Sequence, residues 1–347
     1  MRRLILALVC ALVAACAPQQ TREDGVYTLR YASPYLPAHP FSRADIIWIE
    51  HVERVSNGRI RIRPFWGGAL LSADNSVHEL RHGVADIALI TPIYMRAGMH
   101  AVKMQAGFYG GVRAIPDQVT VYRCLARSFP VLDRELDGVV TLAVQGGNLP
   151  NVLTRERPVR TLEDLRGLRL RAPSELVPVL RSLGVDVVAM PMGDVYSAIS
   201  KGVLDGVVAP PDTLRSLHFT EVTRYLNRLE IARGAYPARA ISRQAFDRLP
   251  ADLQRILTDA APVWENALSA ELVRAEAAGL EAGRAENIEV VTMAEGEQAR
   301  FDRLYAETSL QHSSDLARYG IDGPAMFRRA QAIIAAGAPE SCAAAPL

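Results

Sequence analysis

The sequence predicts two similar α/β lobes, each a mostly parallel sheet with flanking helices, with a cleft between them and one long late helix. Three observations predict this fold class. A strand-helix-strand-helix-strand pattern is written twice. Its copies share one word, "RHGVADIALITP" (81–92) and "SKGVLDGVVAPP" (200–211). After residue 236 the chain turns mainly helical. A chain of 347 residues is long enough for two domains. Its 49% hydrophobic and 22% charged residues are the balance of a globular protein. A net charge of +1 offers no basic field for nucleic acid, and none is expected as a partner.

The elements follow in order. "TLRYASP" (28–34) and "LRLRAPS" (168–174) are matching strands, each leading into a helical stretch, 41–55 and 174–183. In the first, Ile46, Ile47, Ile49, Val52 and Val55 supply an apolar face. "SNGRIRIRPF" (56–65) and "SLGVDVVAMP" (182–191) each pass through a Gly turn into a second strand. "NSVHEL" and "GDVYSAI" are helical and stop at Gly83 and Gly202, the helix C-cap signal. The apolar runs after Asp86 and Asp205 read as buried strands. Parallel sheets with helical crossovers follow from such alternation. Beyond 236, residues 249–286 are helical, with Pro262 predicting a kink. "NIEVVTM" (287–293) is a short strand, and 297–336 hold two more helices. The lobes expected are 27–145 with 237–270, and 146–236 with 271–330. A mobile tail follows at 337–347.

The chain opens "MRRLILALVCALVAACAPQQ". Two arginines, a short apolar run and small residues make an export signal, too short to span a bilayer. "VAAC" resembles a bacterial lipobox, so residues 1–15 are read as a lipoprotein signal peptide and Cys16 as the lipidated residue. Losing Arg2 and Arg3 takes the net charge from +1 to −1. The other reading is a plain secretory signal with an incidental Cys16. Cys124 and Cys342 remain in the body, and an oxidising compartment permits a bridge between them. Two unpaired buried thiols are the alternative.

In open parallel sheets, ligands bind beyond the carboxyl ends of the strands. That rule selects Tyr31 to Tyr35, Phe65 with Trp66, and Thr91 in the first lobe. In the second it selects Arg171, Met190 with Met192, and Ala209. "DLRGLRLRAP" (164–173) alternates apolar and charged residues, so Arg169 and Arg171 share a face. Arg171, at the carboxyl end, reaches into the cleft and holds an anion through its planar fork, while Arg169 pairs with an acid. Two solvated arginines on an edge strand are the competing reading.

"HELRH" (78–82) matches H-E-x-x-H, the pattern of a zinc metalloprotease with His78 and His82 as ligands and Glu79 as base. Gly83 ends that helix at once. The extended motif's Gly and His are Ala85 and Ala88, and the second copy reads "SAISK" in the same slot. The segment is therefore read as a helix face, with no metal or other cofactor. G-x-S-x-G, the P-loop and C-x-x-C are missing, and "GFYGG" (107–111) reads as loop.

Several words together carry a family resemblance: "AHP" (38–40), "SNGRIRIRPF", "HGVADIA" (82–88), "RPVRTLEDLRGLRLRAP" (157–173), "MPMGDVYSAISKGVLDG" (190–206) and "YPARAISRQAFDRLPADLQRIL" (236–257). Over about residues 27–330 the chain resembles the solute-binding protein of a tripartite ATP-independent periplasmic (TRAP) transporter, dicarboxylate-binding type. The resemblance implies a two-lobed periplasmic binding protein that captures a ligand by lobe closure. It implies delivery to a small and a large membrane permease subunit, and no catalysis. A lipid-anchored periplasmic monomer is expected. The family's carboxylate-binding arginine falls on Arg171. Its usual Asn partner, in "VDGQENP", becomes Ala209 in "LDGVVAP", with Val207 and Val208 in place of polar neighbours. A further family arginine falls near Pro150, with Asn148 close by, and the aromatic after "MP" is Met192. A single Arg suits one negative charge. The valines, methionines and Tyr31, Tyr35, Phe65 and Trp66 suit an apolar or aromatic body, with ordinary core packing as the alternative for each ring. Tyr236 is counted with the site. The expected ligand is an organic acid with one carboxylate and an apolar part. A ligand-sensing role on the same fold is the alternative function.

Overall fold

The computed structural model describes residues 25–338 and Cys342. The signal peptide, Cys16 and the remaining tail residues lie outside the described residues. The strands, in chain order, are β1 (Tyr27–Ala32), β2 (Ile60–Phe65), β3 (Ile87–Leu89), β4 (Val139–Gln145), β5 (Asn151–Thr154) and β6 (Arg169–Arg171). They continue with β7 (Asp186–Val188), β8 (Gly206–Ala209), β9 (Tyr225–Arg228), β10 (Tyr236–Ser242) and β11 (Glu289–Thr292). They form two sheets, ordered β2-β1-β3-β10-β4 and β11-β9-β5-β8-β6-β7.

The duplicated pattern is a duplicated topology. β1 pairs in parallel with β2 and β3, and β6 pairs in parallel with β7 and β8. Helices Pro40–Val55 and Ser76–Arg81 make the crossovers of the first unit; Val177–Ser182 and Val195–Ser200 make those of the second. Gly83 and Gly202 follow the second crossover helix of each copy with φ of +75° and +69°, a conformation that suits glycine. One strand in each sheet runs against the rest: β10 is antiparallel to both β3 and β4 in the first, and β5 to both β8 and β9 in the second. Apolar clusters cover both faces of each sheet, so the short strands read as continuous apolar runs.

Two short connections join the sheets, 146–150 between β4 and β5 and 229–235 between β9 and β10, and a third, helical one leads from β10 to β11. The helix Ala261–Ala285, about 37 Å long at the usual rise, runs across both lobes. It packs on Pro40–Val55 of the first lobe and on Thr213–Ser216 of the second. Pro262 does not kink a continuous helix. A shorter helix, Ala251–Asp259, ends first, and Pro262 sits in the opening turn of the next, where no intrahelical N–H is needed.

Two further expectations change. Helix Glu297–Ser313 packs on Val177–Ser182 of the second lobe, but helix Gly323–Ala335 packs on Ile115–Ser128 of the first. Met326, Phe327, Ala330 and Ile333 give it a buried face in the first lobe's core, where Phe327 meets Phe108 edge-on at 5.2 Å. Residues 323–330 therefore belong with the first lobe, not the second. Cys342 is joined to Cys124 in a disulfide, so the tail is tied down at that point.

At the centre of the first lobe, Arg239 on β10 is 1% exposed and Asp45 is fully buried. Arg239 Nε donates to Asp45 Oδ1 at 2.6 Å, and Trp264 Nε1 donates to the same oxygen at 2.8 Å. The guanidinium also lies 4.2 Å from the centre of the Trp264 ring. Arg239→Met leaves the Asp45 carboxylate buried without its cation, and such a loss costs about 3–5 kcal/mol. Urea denaturation should register that destabilisation; a change below about 1 kcal/mol would show that the pair is not integral to the fold.

Candidate functional site

The carboxyl ends of both parallel units converge on one cleft of about 1900 Å³, which leads into a smaller chamber of about 60 Å³. Tyr35, His39, Thr91, Tyr94, Met192 and Asp212 border both spaces. The loop after β1 supplies Tyr35 and His39. The turn after β3 supplies Thr91 and Tyr94. Met192 follows β7, and Asp212 follows β8. The connections between the lobes add Gly147, Asn148 and Arg233; Tyr236 opens β10, and Leu272 comes from the long helix. The strand-end rule thus places the cleft, and Tyr35, Thr91, Met192, Asn148 and Tyr236 all reach it.

Arg171 and Arg169 share a strand but not an environment. Arg169, at the outer end of β6, pairs with Asp186 at 3.3 Å, its side chain half exposed. Arg171 is 1% exposed because the first lobe covers it. Its Nε donates to the Met190 carbonyl at 3.0 Å, and its Nη2 donates to the Tyr94 hydroxyl at 2.8 Å across the cleft. Ser174 Oγ donates to the Ile93 carbonyl at 3.3 Å, a second bond between the lobes. Arg171 stands behind Tyr94 and Met190 rather than on the open chamber wall.

Other predicted site residues lie elsewhere. Tyr31 is fully buried, with the Asp45–Arg239 pair beside it and Trp66 against it edge-on at 5.7 Å. Phe65 lies under the Arg63 guanidinium, 5.3 Å away. Ala209 is fully buried in the second lobe's core, opposite Asn151. The chain enters the cleft one residue later, at Pro210. Strand alternation explains these cases: being near a strand's carboxyl end does not aim a side chain into the cleft.

The aromatic wall comes instead from a compact group. Tyr35 stacks on His39 at 4.0 Å, and both meet Phe41 edge-on. His39 caps the first crossover helix, its Nδ1 accepting from the Phe41 N–H at 3.2 Å. Burial, then Arg43 and Arg239, lower its pKa to about 3, so the ring is neutral. Across the chamber, the Tyr236 hydroxyl accepts from Gln145 Nε2 at 2.9 Å.

The wall residues that sequence reasoning missed include Tyr94, His39, Asp212 and Arg233. Tyr94 and Asp212 each lie three residues past a position that the strand-end rule had named, so a longer reach would have found them. Arg233 sits on an interlobe connection, where no strand-end rule applies. It adds to the expectation of a single arginine, because a guanidinium other than that of Arg171 borders the chamber.

The candidate metal motif does other work. Glu79 accepts from the Ser72 N–H at 2.7 Å and from Ser72 Oγ at 2.9 Å. His82 Nδ1 is 2.7 Å from the His78 carbonyl. Among the described residues, no group of three or more His, Cys, Asp or Glu could hold a metal ion.

Fold and cleft define a two-lobed binding protein. The chain belongs to the bacterial extracellular solute-binding proteins, family 7 (DctP), whose family model matches residues 38–310. These are solute-binding components of transport, not enzymes. A solute-binding protein of Albidiferax ferrireducens is 26% identical over 276 residues, covering 77% of this chain and 76% of that relative. A TRAP solute-binding protein of Rhodoferax ferrireducens, solved with copurified benzoate, has TM-score 0.81 and 23% identity, covering 92% of this chain and 100% of that one. One from Bordetella bronchiseptica, solved with (R)- and (S)-mandelate, has TM-score 0.76 and 21% identity over 87% and 96% of the two chains.

Asp212 makes the chamber sensitive to pH. It is 4% exposed, and burial pushes its pKa up to about 7, against the lowering effects of Asn148 and Arg233. The unfolded carboxyl titrates near 3.8, so between these values the folded state holds a proton that the unfolded chain has lost. This group's contribution to stability is full below about pH 4 and declines as pH rises to about 7. Asp212→Asn cannot ionise, so its melting temperature should gain on the wild type as pH rises from 4 to 8. A difference constant across that range would show that Asp212 titrates normally.

Proposed function

We propose that this protein captures an organic acid with one carboxylate and an apolar or aromatic body, and delivers it to a TRAP permease pair. The observation that carries the reading is Arg171. It is buried, and no carboxylate among the described residues lies within ion-pair distance of it. A buried cation without a counter-ion is costly. A ligand carboxylate supplies the missing charge by displacing the Tyr94 hydroxyl. Tyr35, Phe41, Tyr94 and Tyr236, with Met192 and Leu272, suit a ring or branched chain. Relatives of the same fold that hold benzoate, mandelate and meta-hydroxyphenylacetate support the aromatic choice, although others hold galacturonate and glucuronate.

The case against dicarboxylates does not rest on Ala209, which is in the core. It rests on Asp212, a buried carboxyl on the chamber wall that a second ligand carboxylate would meet. We also propose a periplasmic monomer anchored by lipid at Cys16, with lobes of 27–145, 237–270 and 323–338 against 146–236 and 271–322.

Calorimetry with benzoate, phenylacetate, mandelate and succinate tests the reading. Aromatic monocarboxylates should bind and succinate should not. Arg171→Met should weaken binding at least tenfold, since loss of a partly desolvated charge pair costs on the order of 2–5 kcal/mol. The melting temperature of the empty variant should not fall, because an apolar side chain replaces an unpaired buried charge. Tight succinate binding, or unchanged affinity in Arg171→Met, would refute this assignment.

A further inference from the structure

We infer that the chamber selects a hydroxy acid, its hydroxyl group bridging Arg233 and Asp212 while its carboxylate is held by Arg171. This rests on the organic-acid reading above and narrows it to a substrate class. Arg233 and Asp212 both border the chamber, one from the interlobe connection and one from the turn after β8. They attract each other through space, yet they form no ion pair within 4 Å.

Both side chains are short of partners. Among the described residues, the Arg233 guanidinium has no hydrogen-bond acceptor or ion-pair partner. Asp212 Oδ1 receives only Asn148 Nδ2, and Oδ2 only Ser216 Oγ, each at 3.5 Å. That is the outer limit for a hydrogen bond. Asp212 is buried and Arg233 half-buried, and a matched ligand group would give each a closer partner than it has.

The seat of Arg233 is built for it. A Cβ on Gly147 would fall 2.5 Å from Arg233 Nη1, so a larger residue there would push the guanidinium from its present place. Gly147 is itself clamped by the buried Gln118 side chain. Its N–H donates to Gln118 Oε1 at 2.8 Å, and its carbonyl accepts from Gln118 Nε2 at 3.1 Å.

Chemistry then chooses among ligand groups. A second carboxylate would suit Arg233 but press an anion against Asp212. An ammonium would suit Asp212 but face Arg233. A ketone satisfies Arg233 alone, and a methyl satisfies neither. A hydroxyl donates to Asp212 and accepts from Arg233, so it alone answers both groups.

Calorimetry at pH 8 on the purified protein tests this with matched acids: phenylacetate against mandelate and 3-hydroxyphenylacetate, and benzoate against 3-hydroxybenzoate and isophthalate. In at least one set the hydroxylated acid should bind tenfold or more tightly than its parent, and isophthalate more weakly than benzoate. Asp212→Leu, Arg233→Met and Gly147→Ala should each reduce the hydroxyl preference to below threefold. Circular dichroism identifies the variants that fold, and the wild-type comparison needs none of them. Equal affinities within every set, stronger binding of isophthalate, or a preference that survives in the folded variants would overturn the inference. If Arg171→Met abolishes binding of the parent acids while the hydroxyl adds nothing, the organic-acid reading stands and this one falls. Failure of every acid to bind removes both.

Discussion

The Asp45–Arg239 pair is the constraint on which the architecture turns. Asp45 belongs to the first crossover helix, Arg239 to β10 and Trp264 to the long helix, so one carboxylate oxygen ties together three elements distant in sequence. Register shifts in the β10–β4 ladder lie on either side of Arg239, between Pro237 and Ala240. Such an irregularity re-aims a side chain, and here the side chain is a cation in the middle of a core. The pair is not perfectly satisfied, since Asp45 Oδ2 and Arg239 Nη2 have no hydrogen-bond partner. An apolar trio could match its stability. What the pair adds is a fixed position for β10, the first strand after the chain returns from the second lobe.

That position passes directly to the chamber. Arg239 Nη1 donates to Gln145 Oε1 at 3.3 Å, and Gln145 Nε2 donates to the Tyr236 hydroxyl at 2.9 Å. Gln145 ends β4, just before one connection between the lobes, and Tyr236 begins β10, just after the other. The buried pair therefore orders the roots of both connections. From there the two segments carry Gly147, Asn148 and Arg233 to the chamber. Asn148 Nδ2 also donates to the Leu272 carbonyl at 3.0 Å, which joins the long helix to the same floor.

Much of this was legible in the sequence, for local reasons. The duplicated unit announced itself because its strands are apolar, its helices are capped by glycine, and its spacing repeats. Arg171 stood out because period-two alternation gave its face and a Pro gave the strand's end. What failed were inferences that needed a partner distant in sequence. Tyr31 was read as a cleft ring, but Asp45 and Arg239 draw it into the core. Ala209 was read as pocket wall, but the pocket begins at Pro210. Helix Gly323–Ala335 was assigned by its place in the chain, whereas its apolar face found the first lobe. Arg233 carries no local signal: an Arg before a Gly is commonplace until Gly147, 86 positions earlier, is seen to make room for it.

Under the proposed assignment of Arg171, the same arrangement would turn capture of a ligand into closure of the lobes. Arg171 is buried only where the first lobe meets the second, through Tyr94 and through Ser174 on Ile93. Were the lobes to separate, its guanidinium would be hydrated and need no counter-ion; with the lobes together it does. A ligand can favour closure only by the difference in its affinity for the two states. A carboxylate at Arg171 gains most of its strength after closure, when water is excluded, so its binding energy is differential by construction. An acid too large to let Tyr94 approach Arg171 would be bound without closing the lobes, so the cleft measures the ligand's size by the same motion that encloses it.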